Sequence, residues 1–291
     1  PHPHHPEAAV AAFERGIHVL CEKPVAVTAS DAARINAAAD KSGCAYTVHF
    51  QRRHQPRWRW LKRQIDSGLL GRIHKVNITW TDWYRPQKYY DGGSWRGTWN
   101  GEGGGVLMNQ CPHDLDLFTW WLGLPKKVDA KIWLGRFHDI EVEDEVVAEF
   151  EFEGGGIGIL NASTCDAPGA SRWDVLGDEG AFFIDGDSLR VCRRGENFTS
   201  YTQTTERVWD AVPLDEAPFE DPGDAAPTGT EGAWTNFIRA VRGEERIFMD
   251  GREGLESLAL ANAIVASGFL GRAVDLPLDA GVYEGILQSL R

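Results

Sequence analysis

Positive charge is scarce in this chain of 291 residues: 30 Lys and Arg stand against 43 Asp and Glu, a formal net charge of −13. A nucleic-acid binder needs clustered Lys and Arg to meet phosphates, so no nucleic-acid partner is expected. Long apolar runs are missing too. None approaches the ~20 residues of a bilayer-spanning helix, and no secretory hydrophobic region opens the chain. No membrane partner is therefore expected, and the cytoplasm is the expected location. Cysteine is sparse: Cys21, Cys44, Cys111, Cys165 and Cys192 are odd in number and scattered, without a CxxC pair. That pattern speaks against a disulfide framework or a zinc ribbon and reads as small buried thiols in a reducing compartment. His2, His4 and His5 crowd the start, but no Cys or carboxylate joins them at ligand spacing, so no metal site is expected. They read as an exposed, Pro-punctuated loop.

What is present is an ordinary globular composition, 42% hydrophobic and 25% charged, with 12 Trp and 32 Gly as its unusual features. Despite that glycine content there is no GxGxxG between a strand and a helix. The chain opens at Pro1, without an initiator Met. It then predicts a helix over Pro6–Arg15 closed by Gly16, and a strand over Ile17–Cys21. A helix follows over Ala32–Lys41 with Thr28 or Ser30 as N-cap, then a strand over Ala45–Phe50. This alternation is that of a parallel, doubly wound sheet, and only half of one. A βαβ unit takes about 30 residues or more, so a mononucleotide-binding half of roughly 60–80 residues is expected before Pro1, and the chain reads as N-terminally truncated.

After Arg53 the texture changes. Pro56–Ser67 reads as a basic amphipathic helix ending at Gly68, Ile73–Trp83 as a strand, and the residues on to Trp99 as an aromatic loop. Gly103–Gly105 opens an apolar helical stretch that ends near Leu122. From Lys126 to about Trp209 the pattern is strand after strand (128–134, 144–152, 156–164, 172–177, 180–185, 188–193), with Gly154–Gly156 as a hairpin turn. An acidic, Pro-rich loop (Pro213–Pro227) and two helices, Glu231–Arg242 and Arg252–Leu270, close the chain. The expected fold is α/β plus α+β. A partial doubly wound parallel, Rossmann-like sheet spans 1–54, and a domain with a large, mostly antiparallel open sheet spans 55–291.

Several motifs in order carry a family resemblance. They are Pro1-His2-x-x-His5, Gly16-x-His18-Val19-Leu20-x-Glu22-Lys23-Pro24, Phe50-Gln51-Arg52-Arg53, Gly68-x-x-Gly71, Trp95-Arg96, and Gly103-Gly104-Gly105 through His113 to Asp116 and Trp121-Leu122. Together they resemble the glucose–fructose oxidoreductase/inositol dehydrogenase (Gfo/Idh/MocA) family over nearly the whole chain. The resemblance implies a dinucleotide-binding domain, a C-terminal substrate domain whose open sheet builds a homodimer or homotetramer, and hydride exchange between NAD or NADP and a sugar, cyclitol or related polyol. It also implies that Pro1, His2, His5, Glu22, Lys23, Pro24 and Gln51 border the cofactor. Glu22 is expected at the nicotinamide ribose, Gln51 at the carboxamide, and the Lys23–Pro24 peptide in the cis form. The segment that separates NAD from NADP lies about 20 residues after the glycine fingerprint, and this chain does not contain it.

The chemistry has its own logic. Oxidising an alcohol carbon requires a base for its hydroxyl proton while hydride leaves. Lys23 follows the C-terminal end of a parallel strand, where open α/β sheets bind ligands, and desolvation lowers an amine toward the working range. In isolation such a lysine reads as a surface partner of Glu22. His113 is the second catalytic candidate, because imidazole exchanges protons near neutrality. A lone His in an apolar helix otherwise reads as core. Asn109 precedes His113 by four residues and would share its helical face, but Pro112 should kink the helix there or delay its start. The resemblance places an Asp where this chain has Asn109, and an amide cannot hold the catalytic proton. Asn109 is then left to position substrate, with Asp116 as support. Trp83, Tyr84, Tyr89, Tyr90, Trp95 and Trp99 crowd one segment with Arg85 and Arg96. Aromatic faces and polar forks suit a carbohydrate, and Trp95, Arg96 and Tyr84 are the candidate substrate contacts. Trp58, Trp60, Trp120 and Trp121 read as core. Two rival readings stand beside the dehydrogenase: a glycoside-cleaving relative that oxidises transiently through a tightly held NAD, and a non-enzymatic dinucleotide- or sugar-sensing regulator.

Overall fold

The computed structural model describes residues 1–209, 212–217, 219 and 227–291. Two sheets organise it. The first is built from α1 (His5–Phe13), β1 (Val19–Cys21), α2 (Ala29–Ser42) and β2 (Tyr46–Val48). β1 and β2 run parallel, with Val19 opposite Tyr46. α2 starts where it does because Thr28, in an extended conformation, accepts the Asp31 N–H at 3.1 Å through its hydroxyl. Of the two cap candidates, Thr28 is the cap; Ser30 already lies inside the first turn. Ala32, Ile35 and Ala39 form the buried stripe of α2 at helical spacing. Both strands are shorter than the sequence predicts, and Ile17 is exposed ahead of β1.

The second sheet has nine strands: β3 (Ile73–Trp80), β4 (Lys127–Leu134), β5 (Glu143–Glu151), β6 (Ile157–Ser163), β7 (Ser171–Gly177), β8 (Gly180–Asp185), β9 (Ser188–Arg194), β10 (Leu214–Ala217) and β11 (Val274–Asp275). Their order is β10-β9-β8-β7-β3-β6-β5-β4-β11. β3 pairs with β6 in parallel and every other neighbour is antiparallel, so the sheet is mixed with an antiparallel majority. The 154–156 hairpin is present, closed by Phe152 N–H to the Gly156 carbonyl.

Two features depart from expectation, and a third, the break at Pro112, follows it. The run read as strands up to Trp209 ends in a helix, α7 (Phe198–Thr204), because Asn197 caps it by accepting the Ser200 N–H. Leu214–Ala217, inside the segment read as an acidic loop, pairs with β9 as an edge strand. Most of the rest of that loop lies outside the described residues. The apolar stretch after Gly105 is two helices, α5 (Val106–Asn109) and α6 (Pro112–Leu122), with Pro112 in the first turn of the second. Proline lacks the N–H an uninterrupted helix would need there, so the break falls where the chemistry requires it. The remaining helices are α3 (Pro56–Asp66), α4 (Gln87–Asp91), α8 (Gly229–Val241), α9 (Gly254–Leu270) and α10 (Ala280–Leu290).

One face of the large sheet is covered by α6 and α9. Phe118 meets Phe150 at 5.3 Å and Trp121 meets Trp173 at 5.3 Å, edge-on and tilted contacts that fill the layer between α6 and the strands. α9 is buried nearly all round and touches α2, α6 and β4, so it is the shared wall between the two sheets. Asn262 on that helix accepts the Ala29 N–H at 3.0 Å and donates to the Val27 carbonyl at 3.1 Å, which anchors the start of α2. Among the described residues no helix is long and apolar enough to cross a membrane.

Candidate active site

Lys23 lies just past β1 and its peptide to Pro24 is cis. Its ammonium reaches across to the second sheet's side of the molecule and donates to the Asn109 carbonyl at 2.7 Å. Burial lowers its pKa from the ordinary lysine value, against the opposing pull of Glu22 and Glu102. An amine so placed passes between its charged and neutral forms more readily than a solvated one.

His113 sits in the first turn of α6, its ring packed edge-on to Phe50 at 5.9 Å. Desolvation, then the charges of Lys23 and Arg52, hold its pKa down to about 3. The ring is therefore neutral across the physiological range and serves as a hydrogen-bonding group, not as an imidazolium. Its Nε2 lies 3.3 Å from the Gln51 amide, while its buried Nδ1 makes no hydrogen bond among the described residues. Asn109 and His113 stand on two different helices, so they do not share one helical face; the break at Pro112 separates them.

Asn109 donates through its amide to the Glu102 carboxylate. Sequence reasoning missed Glu102. It is 1% exposed, its second oxygen accepts the Gly97 N–H at 2.7 Å, and burial raises its pKa above the usual carboxylate range. The available signal was its place as the one acid directly before the Gly103–Gly105 run. That run lets the backbone pass against β5: a Cβ on Gly105 would sit 1.8 Å from the Glu143 carbonyl oxygen. The Glu143 carboxylate, lifted to about 7 by burial, accepts the Leu107 N–H at 3.2 Å and anchors α5.

The N-terminal residues are not an exposed loop. His2–His4 form a single 3-10 turn, His2 is buried, and its Nδ1 lies 2.9 Å from the Glu102 carbonyl oxygen. Burial takes its pKa to about 4. His5 Nδ1 is 2.8 Å from the Pro24 carbonyl, which joins α1 to the Lys23 turn. Pro1 is exposed, and its carbonyl accepts the His4 N–H. Glu22 accepts from His49 at 3.0 Å and is drawn below the usual carboxylate range by that partner. Trp95 meets His2 edge-on at 5.7 Å, and Arg96 stacks over Trp95 and Tyr89 at 4.8 and 4.7 Å. Tyr84 is 52% exposed, and among the described residues no side-chain hydrogen bond or ring contact joins it to these groups. Hydrogen bonds and ring contacts thus join Lys23, Asn109, Glu102, His2, His5, Trp95 and Arg96 into one group. Gln51 and His113 form a second group, near enough for the Lys23 charge to lower the His113 pKa, and Tyr84 stands outside both.

Arg52 and Arg53, directly after β2, explain the paired acids on α6. Arg52 pairs with Asp114, and Arg53 grips Asp116 through two hydrogen bonds of 2.9 and 2.7 Å. Beside Arg52 and Asp114 opens a cavity of about 310 Å³ lined also by Asp82, Arg57, Asp187 and the rings of Trp58, Trp121 and Trp173. Trp58 and Trp121 are core, as their spacing suggests, and also wall of this cavity, with unpartnered indole nitrogens. Carboxylates, guanidinium forks and aromatic faces together suit a polyhydroxylated molecule.

For a nicotinamide dinucleotide, the telling observation is a group of buried polar atoms without partners among the described residues: His49 Nε2 and Gln51 Oε1 just after β2, and His113 Nδ1 on α6. Buried polar groups are normally satisfied, so a polar ligand fits there.

Residues 1–50 match the family model described as "Oxidoreductase family, NAD-binding Rossmann fold", and residues 58–183 match the GFO/IDH/MocA C-terminal domain. The structure resembles the WlbA dehydrogenase of Bordetella pertussis, solved with NADH and UDP-GlcNAcA, at 31% identity and a TM-score of 0.77, over 96% of this chain and 78% of that one. In sequence, 1,5-anhydro-D-fructose reductase of Ensifer adhaerens is 26% identical over 94% of this chain and 76% of its own length. A 1-carboxy-3-chloro-3,4-dihydroxycyclohexa-1,5-diene dehydrogenase of Comamonas testosteroni is 35% identical over 139 residues, which span 47% of this chain and 33% of that relative. Two family models matching residues 1–50 and 58–183, and a relative at 31% identity along nearly the whole chain, place this protein in the Gfo/Idh/MocA oxidoreductase family.

Proposed function

We propose that the protein is an NAD(P)-dependent oxidoreductase acting at a hydroxyl or keto carbon of a sugar, cyclitol or related polyol. The observation that carries this reading is the Lys23 ammonium, desolvated and bonded to the Asn109 carbonyl, with its charge felt at the neutral ring of His113. When bound, the nicotinamide supplies a hydride acceptor or donor. Lys23 in its neutral form takes the proton of the reacting hydroxyl, and in its charged form returns it. His113 orients the same oxygen through its free Nδ1. Glu102, through Asn109, holds the carbonyl that aims the lysine. Trp95 and Arg96 border the substrate, and Glu22 and Gln51 border the cofactor. The WlbA dehydrogenase solved in complex with UDP-GlcNAcA agrees with a sugar-class ligand, for which the cavity beside Arg52 offers polar and aromatic walls.

The same reading divides the chain at 54/55, with the second part as the substrate domain. It also gives the uncovered face of the large sheet a role: Ile157 and Ile159 are 57% and 46% exposed there, a surface suited to a homodimer or homotetramer. A cytoplasmic location agrees with five free thiols. The test is turnover of a panel of sugars and cyclitols, followed at the NADH absorbance band and by sugar release together. Net absorbance change without cleavage supports the dehydrogenase. Cleavage without net change supports transient oxidation, and binding with neither supports a sensor.

A further inference from the structure

Outside the Lys23–His113 network, the loop between β4 and β5 meets the end of β6 and brings together three unlike ligand side chains. His138 Nδ1 lies 3.0 Å from Asp144 Oδ2. Cys165 Sγ lies 3.7 Å from that nitrogen and 3.6 Å from that oxygen. A tetrahedral ion bound at about 2.0–2.3 Å by nitrogen, oxygen and sulfur separates neighbouring ligand atoms by roughly 3.3–3.7 Å. The two sulfur edges match that spacing, and the nitrogen–oxygen edge, at 3.0 Å, needs to open by only about 0.3 Å.

The groups behind the three are arranged for a metal. His138 Nε2 is 2.7 Å from the Arg85 carbonyl, which can only accept, so this nitrogen carries a proton and Nδ1 is the one turned to Asp144. That orientation points Nδ1 at the Asp144 carboxylate and the Cys165 sulfur, the direction from which a shared cation would be bound. Asp144 is held in turn by the N–H groups of Arg136 at 2.9 Å and Phe137 at 3.0 Å. The side chains of His138 and Asp144 are 6% and 0% exposed, while Cys165 is only partly buried and leaves a way in from solvent.

We propose that His138, Asp144 and Cys165 bind one thiophilic divalent cation of the zinc class, with a fourth position open to water. On binding, the Cys165 thiol releases its proton to solvent and a sulfur–metal bond forms, with no change of oxidation state. The ion would tie the 135–142 loop to the end of β6. Through the Arg85 carbonyl, and through Tyr90 packed on the His138 ring at 4.8 Å, it would steady the aromatic segment 83–99. The site is structural and stands apart from the reading of Lys23.

The test is titration of the chelator-treated, reduced full chain with Co2+ alone, followed by Zn2+. One equivalent of Co2+ should raise a thiolate-to-cobalt charge-transfer band, and one equivalent of Zn2+ should remove it. Cys165→Ala should abolish the band and weaken Zn2+ binding at least tenfold. His138→Gln should act likewise, while His4→Asn should change neither, which separates the site from the N-terminal histidines. Should His138→Gln fail to fold, Cys165→Ala decides alone. A wild-type chain without the band, or a Cys165→Ala chain that keeps the band or the affinity, overturns the proposal; an imidazolium–aspartate pair beside an idle thiol would then be the right description.

Discussion

Lys23 is where the residue-scale account is most exposed to experiment. Its folded pKa lies below the ordinary value of 10.5, so oxidation, which needs the neutral amine, should rise with pH through one ionisation below 10.5. The profile should show no inflection from His113, whose pKa of about 3 lies under any working range. Measuring kcat/KM for oxidation between pH 5 and 11 checks both. Glu102 gives a second handle. Its negative charge raises the Lys23 pKa, so Glu102→Gln should move that ionisation to lower pH and cost roughly tenfold in rate. A Glu102 that merely fills space would leave the profile where it was. The turns that carry Lys23 and His113 were legible because Glu-Lys-Pro and the glycine run mark breaks that the fold needs. Glu102 was not, because its partners Gly97 and Asn109 are set by a loop path that no period reveals.

Among the elements, the junction of β2 and α6 carries the strongest single commitment. Arg53 and Asp116 are 2% and 1% exposed and bonded through two hydrogen bonds, with Glu253 as a third partner. Removing one side of such a pair strands a buried charge, so Arg53→Met should destabilise by about 3–5 kcal/mol. Asp116→Asn in the same background should recover part of the loss. Denaturant unfolding of the two variants measures it, and a change below about 1 kcal/mol would show the pair to be well solvated. Helix and strand identities were largely readable here: Thr28, Gly16, Gly68 and Pro112 act at the boundaries that their backbone chemistry dictates. Short elements escaped. α4, β10 and β11 span five, four and two residues, too few for a period to emerge, and their position is decided by pairing with distant chain.

At the scale of the whole molecule, alternating patterns predicted many strands but not their order. β3 is inserted between β6 and β7, far from it in sequence, and the parallel β3–β6 pair is invisible to any local signal. The pattern does expose the uncovered face, where Ile157 and Ile159 alternate with buried neighbours on β6. If that face joins subunits, Ile159→Glu should reduce the mass in light scattering to that of one chain, while the circular dichroism stays unchanged. An unaltered oligomer would place the interface elsewhere.

The central claim is that one amine and one imidazole act on the same substrate oxygen. A double-mutant cycle on turnover tests it most directly, comparing Lys23→Ala, His113→Ala and the pair, each checked for folding. Groups that act as a unit are strongly non-additive, so each single change should cost roughly 10²–10⁴-fold and the double variant little more than the worse of the two. Losses that multiply in full, or single variants that turn over like the wild type, would contradict the account.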